Sequence, residues 1–338
     1  MFYIIGDSKN EGGNVEMSTY KQSLLKKMVA VTCMAAILGT GAGMTVVNLP
    51  TASAVASGSS VLQEWGDSGA KAASKKGLTT VKNAKATKDG VTLIVPELMY
   101  DGARFVMVLK AEGGENPLYA SKSYLINGQP LQVDKLSMMA SSVPVENGKE
   151  NNMCMVEFTN AIDPKTGEPI LLNEFELTIN AKFEAAEVSL VIPVKNISKR
   201  DINIQPNAKK NTQKFSYEVI NLRMTDATTM LQIHSKGEIP SSSTKRPNEY
   251  HQSKMYYEIV DDKGKVLEQS MLGVYAKKPE KEYNEKIMYA PSTLGTKFIT
   301  VKPYTLFVNK NGMSLEDKKR NMIKDYHKAL EMKIQVTS

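Results

Sequence analysis

The sequence predicts a mainly β protein with two antiparallel β-sandwich domains, a short helical segment before the first domain and one helix near the end of the second. Short apolar or alternating segments recur along the chain and are separated by turn residues, which is the pattern of antiparallel sheets. A polar stretch at residues 195–214 divides these segments into two sets. A chain of 338 residues is long enough for two cores, so we expect a domain boundary near residue 200.

An uncharged stretch at residues 28–47 indicates the cellular location of the rest of the chain. Lys26 and Lys27 directly precede it. A helix of this length measures about 30 Å, which is the thickness of the hydrocarbon core of a bilayer. A basic flank followed by an apolar run is typical of an export signal. We therefore expect the chain from about Val55 onward to lie outside the cytoplasm.

The export signal is compatible with cleavage and with retention. Three glycines within residues 39–43 weaken a permanent span, since each costs a helix about 1 kcal/mol relative to alanine. Downstream, Ala52, Ser53 and Ala54 form an A-x-A site of the kind that signal peptidase accepts. Cleavage after Ala54 is favoured and gives a secreted or wall-associated protein. Retention gives a single-pass membrane protein anchored through residues 28–47.

Translation is predicted to begin at Met17. The triplet Glu11-Gly12-Gly13 can be encoded by a ribosome-binding sequence at a suitable distance upstream. Residues 1–54 therefore contain the export signal or anchor, and residues 55–60 follow as a short flexible linker.

Composition limits what the exported part can be. The whole chain has a formal charge of +7, and the residues after Ala54 carry +6 of it. A solvated surface of mixed charge is the simpler interpretation, and contact with anionic wall polymers or lipid headgroups is the alternative. Only Cys154 remains after the signal, which excludes an intramolecular disulfide. The cores must therefore be stable without cross-links.

The first domain is predicted at residues 61–198. It opens with one or two short helices that end at Gly77 and that Trp65 packs onto the domain behind. Asp101-Gly102 is the strongest hairpin signal in the chain. The predicted strands of this domain are 91–100, 104–111, 123–128, 153–158, 175–179 and 188–194.

The second domain is predicted at residues 199–338. Its apolar pattern changes near the end, where Ser314 is expected to cap a helix whose apolar stripe ends at Leu330. Residues 330–336 then alternate, which predicts a final strand. The other predicted strands are 214–224, 229–235, 254–261, 265–272, 285–290 and 297–308.

Five segments carry a resemblance to a known family. They are WGDSGAKAASKKGLT (65–79), VTLIVPELMYDGARFVMVLK (91–110), VSLVIPVKN (188–196), YEIVDDKGKVL (257–267) and KFITVKPY (297–304). The sequence resembles uncharacterised surface proteins of Gram-positive bacteria, in which a domain of unknown function follows a single membrane segment and precedes an immunoglobulin-like C-terminal domain. The resemblance implies an immunoglobulin-like sandwich for the second domain, and we assign the first domain to the same class.

The resemblance also implies a regulatory alternative. Some relatives are described as negative effectors of extracytoplasmic-function sigma factors, because they carry a cytoplasmic segment before the membrane. In this chain the corresponding segment, Met17 to Lys27, has eleven residues, which departs from that pattern.

Motifs for catalysis are fragmentary. Ser68-x-x-Lys71 and Lys165-Thr166-Gly167 are two of the three marks of penicillin-interacting serine enzymes, but no S-D-N lies between them. The histidines are too far apart to suggest a metal site. A wall-degrading enzyme would need clustered acidic residues, and the densest acidic group fits an outward strand face. That group is Glu174, Glu176, Glu184 and Glu187.

Strand alternation predicts a structural role for Cys154. Cys154, Val156 and Phe158 share one face of a strand, while Met153 and Met155 share the other. Core packing therefore explains the cysteine better than a Cu(I) site formed with the methionines.

Taken together, the sequence predicts a non-catalytic, exported cell-envelope protein that binds or senses a component of the surface. The alternatives are a membrane-linked regulator of a sigma factor and a structural stalk. We expect no cofactor, metal or nucleic acid. The partner is an unidentified envelope component or protein, together with the membrane if residues 28–47 are retained.

Overall fold

The computed structural model describes most of the chain beyond the predicted export signal. The described residues are 60–80, 83–131, 137–143, 152–159, 169–242, 247–270 and 279–336. In these ranges no helix combines the length and the apolar character needed to cross a membrane. The predicted export signal at 1–54 and most of the linker at 55–60 lie outside them.

Two short helices open the described chain, as predicted. Helix α1 is Val61–Trp65 and helix α2 is Ser68–Lys75. The Ser60 hydroxyl caps α1, and the Asp67 carboxylate caps α2 by accepting from the backbone N–H of Ala70 at 2.8 Å. After α2 the chain reverses through Gly77, whose φ of +69° is easily adopted by glycine.

The first half of the chain forms two antiparallel sheets. Their strands are β1 Ala84–Lys88, β2 Val91–Val95, β3 Leu98–Tyr100, β4 Arg104–Glu112, β5 Ser121–Ile126, β6 Gln129–Pro130, β7 Ser137–Ser142, β8 Met153–Thr159, β9 Glu174–Lys182 and β10 Glu187–Lys195. One sheet has the order β1-β2-β4-β8-β7, with β3 also paired to β4. The other has the order β10-β9-β5-β6.

These two sheets share one hydrophobic core. Alternate residues of β9 and β10 are buried, which is the period-2 pattern of strands with one solvent-exposed face. Cys154, Val156 and Phe158 all point into this core, whereas Met153 and Met155 point to the opposite face of the sheet. The predicted alternation in β8 is therefore confirmed.

The second half also forms two antiparallel sheets. Its strands are β11 Asp201–Ile204, β12 Ala208–Asn211, β13 Phe215–Thr225, β14 Thr229–Gly237, β15 Tyr250–Gln252, β16 Tyr256–Asp261, β17 Val266–Leu267, β18 Glu282–Tyr289, β19 Phe298–Asn309, β20 Lys324–Tyr326 and β21 Met332–Gln335. One sheet has the order β11-β13-β14-β18, with β12 paired to β13. The other has the order β15-β19-β16-β17, with β20 and β21 both paired to β19.

A second core lies between these sheets. It joins residues of β13 and β14 to residues of β16, β19 and β21. The predicted final strand is confirmed as β21, whose Met332 and Ile334 point into this core. The chain is thus mainly β and built from antiparallel sheets, as the sequence predicts.

The predicted helix beginning at Ser314 is wrong. The backbone hydrogen bonds of Leu315 and Ile323 reach back eight residues along the chain, rather than the four of an α-helix. The backbone N–H of Leu315 donates to the carbonyl of Phe307 in β19, and the N–H of Ile323 donates to the carbonyl of Leu315. The apolar residues that suggested a helical stripe therefore belong to extended segments.

A turn at Asp317 explains why the helix does not form. The Asp317 carboxylate accepts hydrogen bonds from two nearby backbone N–H groups, that of Lys319 at 2.7 Å and that of Asn321 at 2.9 Å. Side-chain to backbone bonds of this kind compete with helix formation. Arg320 also has a φ of +64°, which a right-handed helix excludes. Only a single 3₁₀ turn, Lys328–Leu330, remains of the predicted helix.

Candidate functional site

Two hairpin tips, one from each half of the chain, meet in a buried polar contact. The first tip connects β3 to β4 at residues 101–103, and the second connects β13 to β14 at residues 226–228. The side chains of Asp101, Arg104, Thr225 and Thr228 at this contact are fully buried. We call this contact, with Asp67, Glu157, Asp201 and Arg223, the polar joint.

Asp101 links the two tips through its carboxylate. Its Oδ1 accepts from the backbone N–H groups of Ala103 and Arg104, both at 2.9 Å, and so closes its own turn. Its Oδ2 accepts from the Thr225 hydroxyl at 2.6 Å. Thr225 in turn accepts from the N–H of Thr228 at 2.9 Å and closes the second turn. One carboxylate and one hydroxyl therefore fix both turns and hold them together.

Arg104 makes the second connection. Its Nε donates to the Thr228 hydroxyl at 2.9 Å. Its two terminal nitrogens bind Asp67 in a bidentate pair, with Nη1 2.5 Å from Oδ2 and Nη2 2.8 Å from Oδ1. Glu157 lies further away, with its Oε1 3.4 Å from Nη1. The planar guanidinium thus ties the N-terminal helices to the second hairpin tip.

Burial and the charge of Arg104 determine the ionisation of Asp67 and Glu157. Burial opposes ionisation of Asp67, but the charge and hydrogen bonds of Arg104 outweigh burial and hold the pKa of Asp67 far below its usual range. Burial raises the pKa of Glu157, and the more distant charge of Arg104 only partly offsets that rise. The bidentate contact at 2.5 and 2.8 Å, against 3.4 Å for Glu157, makes Asp67 the main counter-ion of Arg104.

Arg223 forms a second ion pair at the edge of the joint. Its Nη1 donates to the carbonyl of Gly102 in the first tip at 2.7 Å. Its Nε and Nη2 bind the two carboxylate oxygens of Asp201, each at 2.8 Å. Gly102 has a φ of +87°, and a Cβ there would lie 2.8 Å from Nη2 of Arg223. The glycine is needed both for the turn and for the approach of the arginine.

Helix α2 closes the joint from the side. Gly69 touches the second tip so closely that a Cβ there would lie 2.3 Å from the carbonyl oxygen of Ala227. Ala227 itself packs among Leu62 and Ala70 of the helices and Met99 of the first sheet. The Ser68 hydroxyl also donates to Glu268 of the second half. The helices α1 and α2 thus contact both halves of the molecule.

The segment connecting the halves is fixed at the same place. Asp226 in the second tip accepts from the backbone N–H of Lys199 at 2.8 Å and of Arg200 at 3.2 Å. Its own N–H donates to the Ser198 hydroxyl at 2.9 Å. Backbone bonds to a carboxylate hold the direction in which the chain leaves the first half.

The arrangement of the joint is suited to fixing orientation. Arg104 and Arg223 both donate hydrogen bonds to groups of the same chain. Each bond across the contact has a defined donor and acceptor geometry. Breaking a buried ion pair by removing one partner costs about 3–5 kcal/mol, because the other charge stays buried. The joint therefore resists displacement of one half relative to the other.

Most of the motif residues considered in the sequence lie outside the residues that the structure describes. The cleavage site at Ala52, Ser53 and Ala54 and the triplet at 165–167 lie outside the described residues. Ser68 and Lys71 lie on α2, where the Ser68 hydroxyl is bound to Glu268.

His234 and His327 each contact a different side chain in the described structure. His234 pairs with Glu282 at 2.7 Å, and His327 contacts the Thr305 hydroxyl at 3.3 Å. Burial lowers the pKa of His327, although Asp325 opposes this shift. In the described part of the chain no three His, Cys, Asp or Glu side chains are grouped so as to hold a metal ion.

Sequence reasoning missed the polar joint, although it found the turn at Asp101-Gly102. The available signal was an arginine beside apolar strand residues: Arg104 begins β4 in RFVMVLK, and Arg223 lies near the end of β13 in NLRMTD. Arginine in such a context requires a partner, but the sequence does not say which carboxylate supplies it.

Comparisons with known proteins identify one region. Residues 201–336, which run from β11 to β21, match the model of a family of unknown function, DUF5643. No curated protein matches the sequence. The crystal structure of the conserved domain protein from Bacillus anthracis is similar over 77% of this chain and 90% of its own, with 11% identity and a TM-score of 0.48.

Proposed function

We propose that this is a non-catalytic, exported cell-envelope protein that presents a binding surface at a fixed orientation, built from two immunoglobulin-like β-sandwich domains. In each half, two antiparallel sheets enclose one core, which supports the sandwich assignment. The partner is a component of the envelope. Export is supported by the basic flank and the apolar run at residues 28–47.

The polar joint is the observation that carries this proposal. A protein that holds a surface in position needs its domains to be fixed, and Asp101, Arg104 and Arg223 all bond across the boundary between the halves. Interfaces between domains of one chain otherwise allow relative motion as a rule. A joint with buried charges is costly to form and specific in geometry, which suits a spacer with a fixed angle.

Export is tested by protease accessibility. Protease added to intact, wall-stripped cells should degrade residues 55–338, and a cytoplasmic marker protein should survive as the control. Size on a denaturing gel distinguishes cleavage after Ala54 from retention of residues 28–47. Protection of residues 55–338 until lysis contradicts the proposed location.

Fixed orientation is tested by distance measurement between paired spin labels. In a Cys33→Ser background, labels at Lys88→Cys in the first half and Lys310→Cys in the second should give one narrow distance distribution. The double variant Thr225→Val and Thr228→Val removes the two hydroxyls at the contact and should broaden it. A broad distribution in the unaltered joint contradicts the proposal.

A further inference from the structure

The two halves of the chain have opposite charge. Residues 61–198 hold 14 Lys and Arg against 17 Asp and Glu, a formal charge of −3. Residues 199–338 hold 25 against 16, a formal charge of +9. The positive charge of the exported part is therefore concentrated in the second half rather than spread over the chain.

Part of this charge lies on the outer face of one sheet. The register places Lys333 opposite Thr300 and Lys302 opposite Glu258, on the side of the sheet that faces away from the core. Lys333 lies over the ring of Phe298, with Nζ 3.4 Å from the centroid. Exposed Val266 extends the face beside Val260, its strand partner. We call this surface the basic face.

More lysines lie at the end of the basic face, where two loops meet. Lys263 donates to the carbonyl of Leu294 at 3.0 Å, and Lys265 donates to the carbonyl of Pro291 at 3.1 Å. Lys297 is exposed in the same loop region. Leu294 is 66% exposed among these lysines, and Val266 is 53% exposed.

Glu258 lies opposite Lys302 and is already bound by other side chains. Glu258 accepts from Lys324 at 2.6 Å and from the Tyr326 hydroxyl at 2.9 Å. Within the described ranges, Lys302 and Lys333 have no carboxylate at ion-pair distance. Their charges are therefore left for an anionic partner.

The Asp261 carboxylate also accepts hydrogen bonds from groups of the same chain. Its Oδ1 accepts from the backbone N–H groups of Lys263 and Lys265, and its Oδ2 accepts from the Thr293 hydroxyl at 2.6 Å. These bonds join the two loops at the end of the face and hold the lysines and Leu294 in place.

We infer that the basic face binds the anionic headgroups of a lipid bilayer. This inference rests on the proposed export of the chain. Lysines attract an anionic membrane surface, and exposed aliphatic and aromatic side chains enter its interfacial region. A soluble polyanion would satisfy the lysines but would offer no apolar region for Leu294 and Val266.

The position of the basic face in the chain agrees with a membrane partner. Ser68 of α2 contacts Glu268, which follows Val266 by two residues, so this end of the second half lies beside the N-terminal helices. Twelve residues, 48–59, separate those helices from the predicted span and reach at most about 40 Å when extended. A retained span would thus keep the face near the bilayer.

The test uses the full chain with Cys33→Ser, reconstituted through its apolar run. A dye sensitive to polarity is attached at Leu294→Cys. In vesicles containing phosphatidylglycerol the emission should shift to the blue and be quenched by nitroxide lipids. In vesicles of phosphatidylcholine alone both effects should be absent. The double variant Lys302→Glu and Lys333→Glu should lose the shift.

The matched control makes the same charge change at the far end of β19, with Lys310→Glu and Lys318→Glu, and should keep the shift. Equal emission in both vesicle types overturns the inference, as does a shift that high salt leaves unchanged. A shift caused by added poly(glycerol phosphate) in phosphatidylcholine vesicles assigns the face to a soluble polyanion and also overturns it. Protease accessibility of residues 55–338 in cells would still support export in each of these cases.

Discussion

The polar joint and the basic face use cationic side chains in opposite ways. In the joint, Arg104 and Arg223 are almost fully buried and bind carboxylates and carbonyls of the same chain. On the basic face, Lys302 and Lys333 lie at the surface of a sheet, next to residues whose polar groups are already bound. Burial, more than charge, therefore separates a cation that stabilises the fold from one that is available to a partner.

The choice of residue follows the same division. Arginine can form several directed bonds in one plane, which suits a buried contact such as that between Arg104 and Asp67. Lysine is a strongly hydrated point charge on a flexible stem, which suits contact with mobile headgroups.

Removing the guanidinium from the joint should have the largest effect. Arg104→Ala leaves Asp67 without its main counter-ion and should lower the free energy of unfolding by about 3–5 kcal/mol. Urea denaturation followed by circular dichroism measures this as a lower midpoint. Arg104→Lys keeps the positive charge but loses the bidentate hydrogen bonding of the guanidinium. Its urea midpoint should lie between those of the unaltered protein and Arg104→Ala. An unchanged midpoint for Arg104→Ala would show that the joint contributes nothing to stability.

Blocking the approach of α2 should have the next largest effect. In Gly69→Val the new side chain would meet the carbonyl of Ala227 and the guanidinium of Arg104. The helix must then move away, at a cost of about 1–3 kcal/mol. Urea denaturation measures the loss, and Lys75→Ala, at an exposed position of the same helix, serves as the control. A variant as stable as the control would mean that this contact is loose.

Substitution of Cys154 tests the contribution of a buried, uncharged side chain to stability. Cys154→Ser should cost about 1–3 kcal/mol, because its hydroxyl enters an apolar core. Burial raises the pKa of the Cys154 thiol to about 11, so a polar maleimide should label the native protein slowly at neutral pH. Rapid stoichiometric labelling without denaturant would show that the thiol is exposed.

The raised pKa also predicts a dependence of stability on alkaline pH. The folded state favours the neutral thiol, so the contribution of Cys154 is fully present below the unfolded pKa of about 9 and is lost as pH rises toward about 11. Cys154→Ala removes this contribution and should show a weaker loss of stability over that range. Equal slopes for the two proteins would contradict the prediction.

The smallest effect on stability is expected from the basic face. The double variant Lys302→Ala and Lys333→Ala removes two surface charges without leaving a buried partner, so the urea midpoint should change little. Comparison with Arg104→Ala sharpens the distinction between the two regions. A loss as large as that of Arg104→Ala would mean that the lysines of the basic face are structural.

Several features follow from local sequence alone. The hairpin at Asp101-Gly102, the helices that end near Gly77 and the inward face of β8 are confirmed, because turn chemistry and alternation act over a few residues. The helix expected from Ser314 failed for a related reason. A stripe of apolar residues fits both a helix and separate extended segments, and the turn closed by Asp317 selects the second.

The mainly β class, the antiparallel hairpins and the burial of Cys154 could be predicted from the amino-acid sequence, since each depends on neighbours in the chain. Tertiary structure alone decided that Asp67 neutralises Arg104 and that Asp101 binds Thr225 across 124 residues. It also decided that Lys302 and Lys333 have no carboxylate at ion-pair distance among the described residues. Pairings of this kind depend on how two hairpins and a helix come together in space, and the order of residues along one strand does not contain that information.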